Sequence, residues 1–216
     1  MHSIGSAPLN DQMPLTKAIL FDLGNVLVAF EFARGYRAIE LCSRFRADQI
    51  PSLIAGSGLV PSLERGEISG LDFFAGLRDI LGLTCTFEQF CDLWSAIFLP
   101  EPILPETLLA GLRRRCRLVL ISNTNDIHFR MIERTYPLIR QFDDLVLSFR
   151  VGAMKPAERI YAEAVRQAGC EPYECFYTDD VKEFVEAGRT YGLDAVEFTG
   201  PSALEQELQR RGLFAD

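Results

Sequence analysis

Histidine is nearly missing from these 216 residues, with only His2 and His128. The six cysteines (Cys42, Cys85, Cys91, Cys116, Cys170 and Cys175) form no C-x-x-C pair. A Cys/His zinc site is therefore not expected, and without a secretory leader the thiols read as buried and reduced rather than as a disulfide framework. No run approaches the roughly 18 apolar residues of a membrane span. Residues 1–15 lack the charged and apolar regions of a signal peptide and are expected to form a loose tail. Positive charge is also short, with 22 Lys and Arg against 30 Asp and Glu, a net charge of −8. That balance argues against an extended nucleic-acid surface, while a local pocket can still take an anionic small molecule. Internal repeats and low-complexity tracts are absent. The expectation is a cytoplasmic globular protein with no nucleic-acid and no membrane partner.

What the chain does have is an apolar run, Ala18 to Phe21, that ends in a carboxylate, Asp22, followed at once by Gly24-Asn25. An unbroken apolar run of this length reads as a strand buried on both faces, as in a parallel sheet. Ligands of such sheets bind beyond the carboxyl ends of the strands, where Asp22 would lie. Alone, Asp22 could equally cap a strand or helix.

From about Phe32 to Leu99 the pattern is helical, with no convincing strand. Ser69 is placed to cap a helix carrying Phe73, Phe74, Leu77, Ile80 and Leu81, with Gly82 beyond its end. Thr86 and Gln89 form a capping-box pattern ahead of Phe90, Leu93, Trp94 and Ile97. Pro100, Pro102 and Pro105 mark a boundary. Beyond them, helices alternate with short apolar strands at 117–121, 145–148, 175–177 and 195–198. This predicts an α/β fold: a doubly wound parallel sheet core, residues 16–29 and 101–216, with a helical cap inserted over residues 30–100.

Three further stretches fall at predicted strand ends or adjoining loops. Ser122 and Asn123 follow the strand at 117–121, Lys155 lies in a loop before a helix, and Asp179-Asp180 end the strand that starts at Cys175. A Ser/Asn turn, a solvated lysine and an acidic turn are the plain readings of each one alone. Together with Asp22 they put a hydroxyl, an ammonium and three carboxylates at one edge of one sheet. Adjacent carboxylates repel unless a cation lies beside them, and an oxygen-rich cluster of this kind suits Mg²⁺ shared with a phosphate.

In the order Asp22, Ser122, Lys155, Asp179-Asp180, the sequence resembles the haloacid-dehalogenase-like (HAD) phosphohydrolase superfamily. The long Asp22-to-Ser122 spacing is similar to that of members with a helical cap. Asp22-Leu23-Gly24-Asn25, Glu64-Arg65-Gly66-Glu67-Ile68-Ser69 and Ser122-Asn123-Thr124-Asn125 resemble the bacterial α-D-glucose-1-phosphate phosphatase group. So does Lys155-Pro156 followed by Arg159-Ile160-Tyr161. The resemblance implies Asp22 and Lys155 as catalytic residues, with Asp22 the nucleophile. It implies Ser122, Asn123 and Lys155 as the phosphate-binding set. It also implies Mg²⁺ held by Asp22, the Gly24 carbonyl, Asp179 and Asp180, with a small phosphorylated metabolite as substrate, a sugar 1-phosphate being one such.

Two departures carry consequences. Most phosphatases of the superfamily have a second Asp two residues after the nucleophile, which protonates the leaving group; here that position is Gly24. General acid–base help is typically worth roughly 10²–10⁴-fold, so a slow enzyme or an easy leaving group is expected. Phe184 stands where many members have Asn, and is expected to loosen the support of the acidic loop. The competing expectations are a catalytically weakened protein that binds a phosphorylated ligand or a partner, and a metal-free haloacid dehalogenase. The adjacent acids Asp179-Asp180 argue against the dehalogenase.

Overall fold

The structure, a computed structural model, describes residues 15–213. The tail expected over residues 1–15 lies almost wholly outside them.

The chain opens with β1 (Ala18–Phe21), all four residues fully buried, and then β2 (Val28–Phe30). Five helices follow: α1 (Phe32–Glu40), α2 (Ile50–Ala55), α3 (Leu59–Glu64), α4 (Gly70–Leu81) and α5 (Phe87–Ser95). After β3 (Phe98–Pro102) come α6 (Glu106–Arg113), β4 (Arg117–Ser122), α7 (Asp126–Thr135), β5 (Asp144–Leu147), α8 (Ser148–Val151) and α9 (Glu158–Ala168). The chain closes with β6 (Cys175–Asp179), α10 (Lys182–Tyr191), β7 (Asp194–Glu197) and α11 (Pro201–Arg210).

One parallel five-stranded sheet has the order β5-β4-β1-β6-β7. In β1 successive side chains point to opposite faces, so Ile19 and Phe21 pack with Leu109, Phe129, Ile132 and Leu208. Ala18 and Leu20 pack on the other face with Ile160, Tyr161, Ala164 and Val185. Both faces are covered, which is why the strand reads as a continuous apolar run. Removing one such side chain, as in Leu20→Ala, costs about 2–5 kcal/mol.

The helices between β2 and β3 have a core of their own, built from Ile39, Ile50, Leu63, Phe73, Leu77, Phe90 and Trp94, and closed by Ile127 of α7. Both expected caps form. Ser69 and Asp72 make a capping box on α4, Thr86 and Gln89 another on α5, and Gly82 ends α4 in the left-handed region at φ 63°. One feature was not expected: a strand lies at the proline-marked boundary. Val28 pairs with Pro102 and Phe30 with Phe98 in a two-stranded antiparallel ribbon at the base of the insert. The β3 residues are exposed or half-buried and carry Pro100 and Pro102, so neither the buried run nor the alternation that signals a strand is present. A short edge ribbon tolerates prolines that a central strand would not.

Candidate active site

Chain order and spatial order part company at β1. The strand next in sequence within the sheet, β4, lies on one side of it, and β6 lies on the other. Such a switch point opens a crevice at the carboxyl ends of the strands. The register sets Phe21 beside Leu120 and Thr178, so the residues following these three strands meet in one place.

Lys155 is the hub. Its Nζ donates to Asp22 Oδ1 at 2.6 Å, to Asp179 Oδ2 at 2.5 Å and to the Ile121 carbonyl at 3.3 Å, while its side chain is almost fully buried. Burial opposes the charge on the ammonium, but Asp22 and Asp179 outweigh it and hold the group above its ordinary value. Asp22 is pushed up to about 7 by burial, with Lys155 pulling against the shift and Asp179 adding to it. Asp180 is also raised by burial, relieved by an Asn25 Nδ2 donor at 3.2 Å. Asn25 reaches that position from a left-handed backbone, φ 53°, in the tight turn that returns the chain to Val28.

Carboxylate oxygens of Asp22, Asp179 and Asp180 lie within 4.8 Å of one another. Fully ionised, three carboxylates and one ammonium would carry two excess negative charges in a largely buried cluster. A hard divalent cation with oxygen ligands fits that donor set.

Ser122 ends β4 at 2% exposure and lines a cavity of about 80 Å³ together with Gly24, Phe30, Glu64, Phe98 and His128. Asn123 is tied down differently. Its Oδ1 accepts from the Lys155 amide at 2.7 Å, and its Nδ2 donates to the Lys155 carbonyl at 3.0 Å. The side chain thus fixes the lysine loop. A Cβ built on Gly24 would meet the Phe30 ring at 2.7 Å, so the ring occupies the space where an acid at position 24 would begin.

Phe184 lies at the cluster itself. Its ring lies 5.2 Å from Lys155 Nζ, a cation–π contact within the cluster. The acidic loop is supported instead by Val181 N–H donating to Asp179 Oδ1 at 2.9 Å and by Asn25.

Two contributors went unnoticed in the sequence. The Tyr177 hydroxyl donates to Asp179 Oδ2 at 2.5 Å, and Gly188 leaves room for its ring, since a Cβ there would lie 2.8 Å from it. The i, i+2 spacing of Tyr177 and Asp179 puts both on one face of β6, which the sequence could have disclosed. His128 accepts at Nδ1 from Asn125 Nδ2 at 3.1 Å, which leaves its Nε2–H to donate to the Trp94 carbonyl at 3.2 Å. Burial pushes this imidazole down to about 4. It is a neutral link between α7 and the end of α5.

Residues 16–192 match the family described as haloacid dehalogenase-like hydrolase. The chain is similar to a D-ribitol-5-phosphate phosphatase of Bacteroides thetaiotaomicron, 26% identical over 200 residues, covering 90% of this chain and 97% of that relative. It is also similar to a HAD family enzyme from Bacteroides thetaiotaomicron, solved as the wild-type protein in complex with magnesium and inorganic phosphate. There the TM-score is 0.76 at 25% identity, over 85% of this chain and 93% of that one. A HAD-like family hydrolase from Porphyromonas gingivalis matches with a TM-score of 0.75 at 26% identity, over 90% of this chain and 98% of that one.

Proposed function

The chain belongs to the haloacid dehalogenase-like hydrolases, and on that premise we propose that it is a Mg²⁺-dependent phosphatase acting on a small phosphorylated metabolite through an aspartyl-phosphate. The observation that carries this reading is the cluster itself. Lys155 bridges Asp22 and Asp179, and Asp180 completes a set of carboxylates close enough to share one ion.

Asp22, Asp179, Asp180 and the Gly24 carbonyl would hold Mg²⁺, which when bound offsets the charge of the carboxylates and of the phosphoryl group. The chain's own residues do the rest. Asp22 attacks phosphorus, forming the carboxylate–phosphorus bond as the ester P–O bond breaks. Water then attacks the same phosphorus and releases Asp22. Both Asp22 and the substrate are anions, so their approach needs the Lys155 ammonium, which is already aimed at the Asp22 carboxylate. Ser122 and the main chain of Asn123 receive phosphoryl oxygens. Asn123 fixes the lysine loop through its side chain, so the charge is preorganised rather than recruited.

The cavity of about 80 Å³ beside Ser122 suits a small leaving group, walled by Phe30 and Phe98. A sugar 1-phosphate and the 5-phosphate of a sugar alcohol both fit that description. The relative named for D-ribitol 5-phosphate makes the second the first to try. The dehalogenase alternative is disfavoured because a metal-free site with an anionic substrate gains nothing from three converging carboxylates.

The test is phosphate release from a panel of sugar and polyol phosphates, with and without Mg²⁺, for the wild type and Asp22→Asn. Mg²⁺-dependent release that disappears in Asp22→Asn is the expected result. A folded wild type that binds Mg²⁺ yet releases nothing from the panel would overturn the phosphatase in favour of a binding protein.

A further inference from the structure

Phosphate-monoester hydrolysis needs a proton for the departing oxygen unless that oxygen is already a good leaving group. The core offers none where the superfamily keeps it, because Gly24 has no side chain and Phe30 fills the adjoining space. The other polar groups lining the cavity are poorly suited. Ser122 and Thr124 are alcohols. The Asn123 amide is bound to the Lys155 main chain, and the His128 Nε2–H is held by the Trp94 carbonyl while its Nδ1 is engaged by Asn125. One lining residue is different. Glu64, at the C-terminal end of α3, opens on the same small cavity as Gly24 and Ser122, and its carboxyl takes no hydrogen bond among the described residues.

We propose that Glu64 is the acid that protonates the leaving-group oxygen, supplying from the helical insert the function that position 24 lacks in the core. This rests on the phosphatase reading. As Asp22 bonds to phosphorus and the ester P–O bond breaks, the Glu64 proton passes to the departing oxygen, which leaves as a neutral alcohol. Water then attacks the aspartyl-phosphate and releases phosphate and Asp22, its proton passing to solvent, and the Glu64 carboxylate regains a proton from solvent before the next turnover. Atoms and charge balance over the cycle without a further reactant.

The surroundings support the role. Burial pushes Glu64 up to about 7, against the pull of the neighbouring Arg65 guanidinium, so the carboxyl can both give and take a proton near neutral pH. Arg65 itself is engaged by Glu67, with Nε to Oε1 at 2.5 Å and Nη2 to Oε2 at 3.0 Å, and so does not clamp Glu64. Among the residues lining the cavity, His128 is the other titratable side chain, and it is held neutral. Glu64 and Ser122 line the same cavity, so an oxygen leaving from a phosphoryl group at Ser122 departs into the space that Glu64 lines.

The test compares two substrates in the Mg²⁺-loaded enzyme. Ribitol 5-phosphate has an alkoxide leaving group that needs a proton, whereas p-nitrophenyl phosphate has a phenolate that does not. Glu64→Gln is expected to lose about 100-fold or more in kcat on ribitol 5-phosphate and only a few-fold on p-nitrophenyl phosphate. Retained p-nitrophenyl phosphate turnover also shows that the variant is folded. Equal losses on both substrates, or none on either, would overturn the proposal. If the wild type hydrolyses neither these two nor any other phosphate ester, the phosphatase reading itself falls, and this proposal falls with it. Glu64→Asp serves as the conservative variant, and recovery of part of the ribitol 5-phosphate rate alone is the expected outcome.

Discussion

The strand ends of the core and the helical insert above them treat charge in opposite ways. In the core every charged group of the site has a fixed partner: Lys155 has two carboxylates, Asp179 also has Tyr177 and the Val181 amide, and Asp180 has Asn25. The insert and its ribbon present aromatic surface to the cavity, with Phe30 and Phe98 half-buried, Phe32 56% exposed, and a single carboxyl, Glu64, that has no hydrogen-bond partner among the described residues. The difference separates two tasks. Under the proposed function, preorganised charge would serve the phosphoryl group, which is common to all substrates of such a site. The apolar walls and the one exchangeable proton would serve whatever is attached to it.

The most direct way to break the core side of that contrast is Lys155→Met. Removing one partner of a buried ion cluster typically costs about 3–5 kcal/mol, and removing one stabilising donor costs about 10²–10³-fold in kcat. The variant should show both losses, read by denaturant unfolding and by phosphate release. Undiminished activity would mean that Lys155 serves only the fold.

His128 probes the seam between the two regions. Its folded value near 4 lies below the ordinary 6.5 because burial disfavours the imidazolium. Between those values the unfolded chain binds the proton and the folded one does not, so stability rises with pH across the window and is fully present above about 6.5. The expected loss on going from pH 7 down to pH 4 is about 3 kcal/mol from this group. His128→Gln should flatten that part of the profile, as measured by urea unfolding at several pH values. A wild-type profile with the same slope as the variant would show that the imidazole titrates freely in the folded state.

Mg²⁺ should act on the core alone. At about 100 times its Kd, bound ion stabilises by about 2.7 kcal/mol. That shift, seen as a rise in Tm, should vanish in Asp180→Asn and persist in Glu64→Gln. A shift that survives Asp180→Asn would remove that residue from the metal site.

These same elements show how much was legible beforehand. Asp22, Lys155, Ser122 and Asp179-Asp180 could be read because each ends or follows a buried strand or lies in the loop ahead of a helix, and parallel pairing carries strand ends to one edge whatever the loops do. The core strands expected at 117–121, 145–148, 175–177 and 195–198 lie within one or two residues of their observed limits, since an unbroken apolar run is set by burial. The β2–β3 ribbon was not legible, because its exposed, proline-bearing second strand has no buried face to generate a pattern. Nor could the sequence show that Asn123 spends its amide on the Lys155 main chain, or that Phe184 lies over the Lys155 ammonium. Those contacts depend on how loops distant in sequence fold against one another. Glu64 stood among several charged residues of the insert, and only its place in the cavity separates it from them.

The smallest expected effect is also the sharpest test of the division between core and insert. At Gly24 a Cβ would meet only the half-buried Phe30 ring, at 2.7 Å, so the ring must shift to admit it. Gly24→Asp should therefore cost on the order of 1 kcal/mol, at the low end for overpacking. By itself it should do little for turnover, because the new carboxyl is turned away by the ring. Combined with Phe30→Ala, the space opens and the carboxyl can reach the leaving-group oxygen from the core side. In a Glu64→Gln background this pair should restore a measurable part of the lost kcat on ribitol 5-phosphate while leaving p-nitrophenyl phosphate turnover nearly unchanged. Recovery on both substrates alike would point to repacking of the cavity, whereas recovery confined to the poor leaving group would show that an acid can act from either side of the cavity.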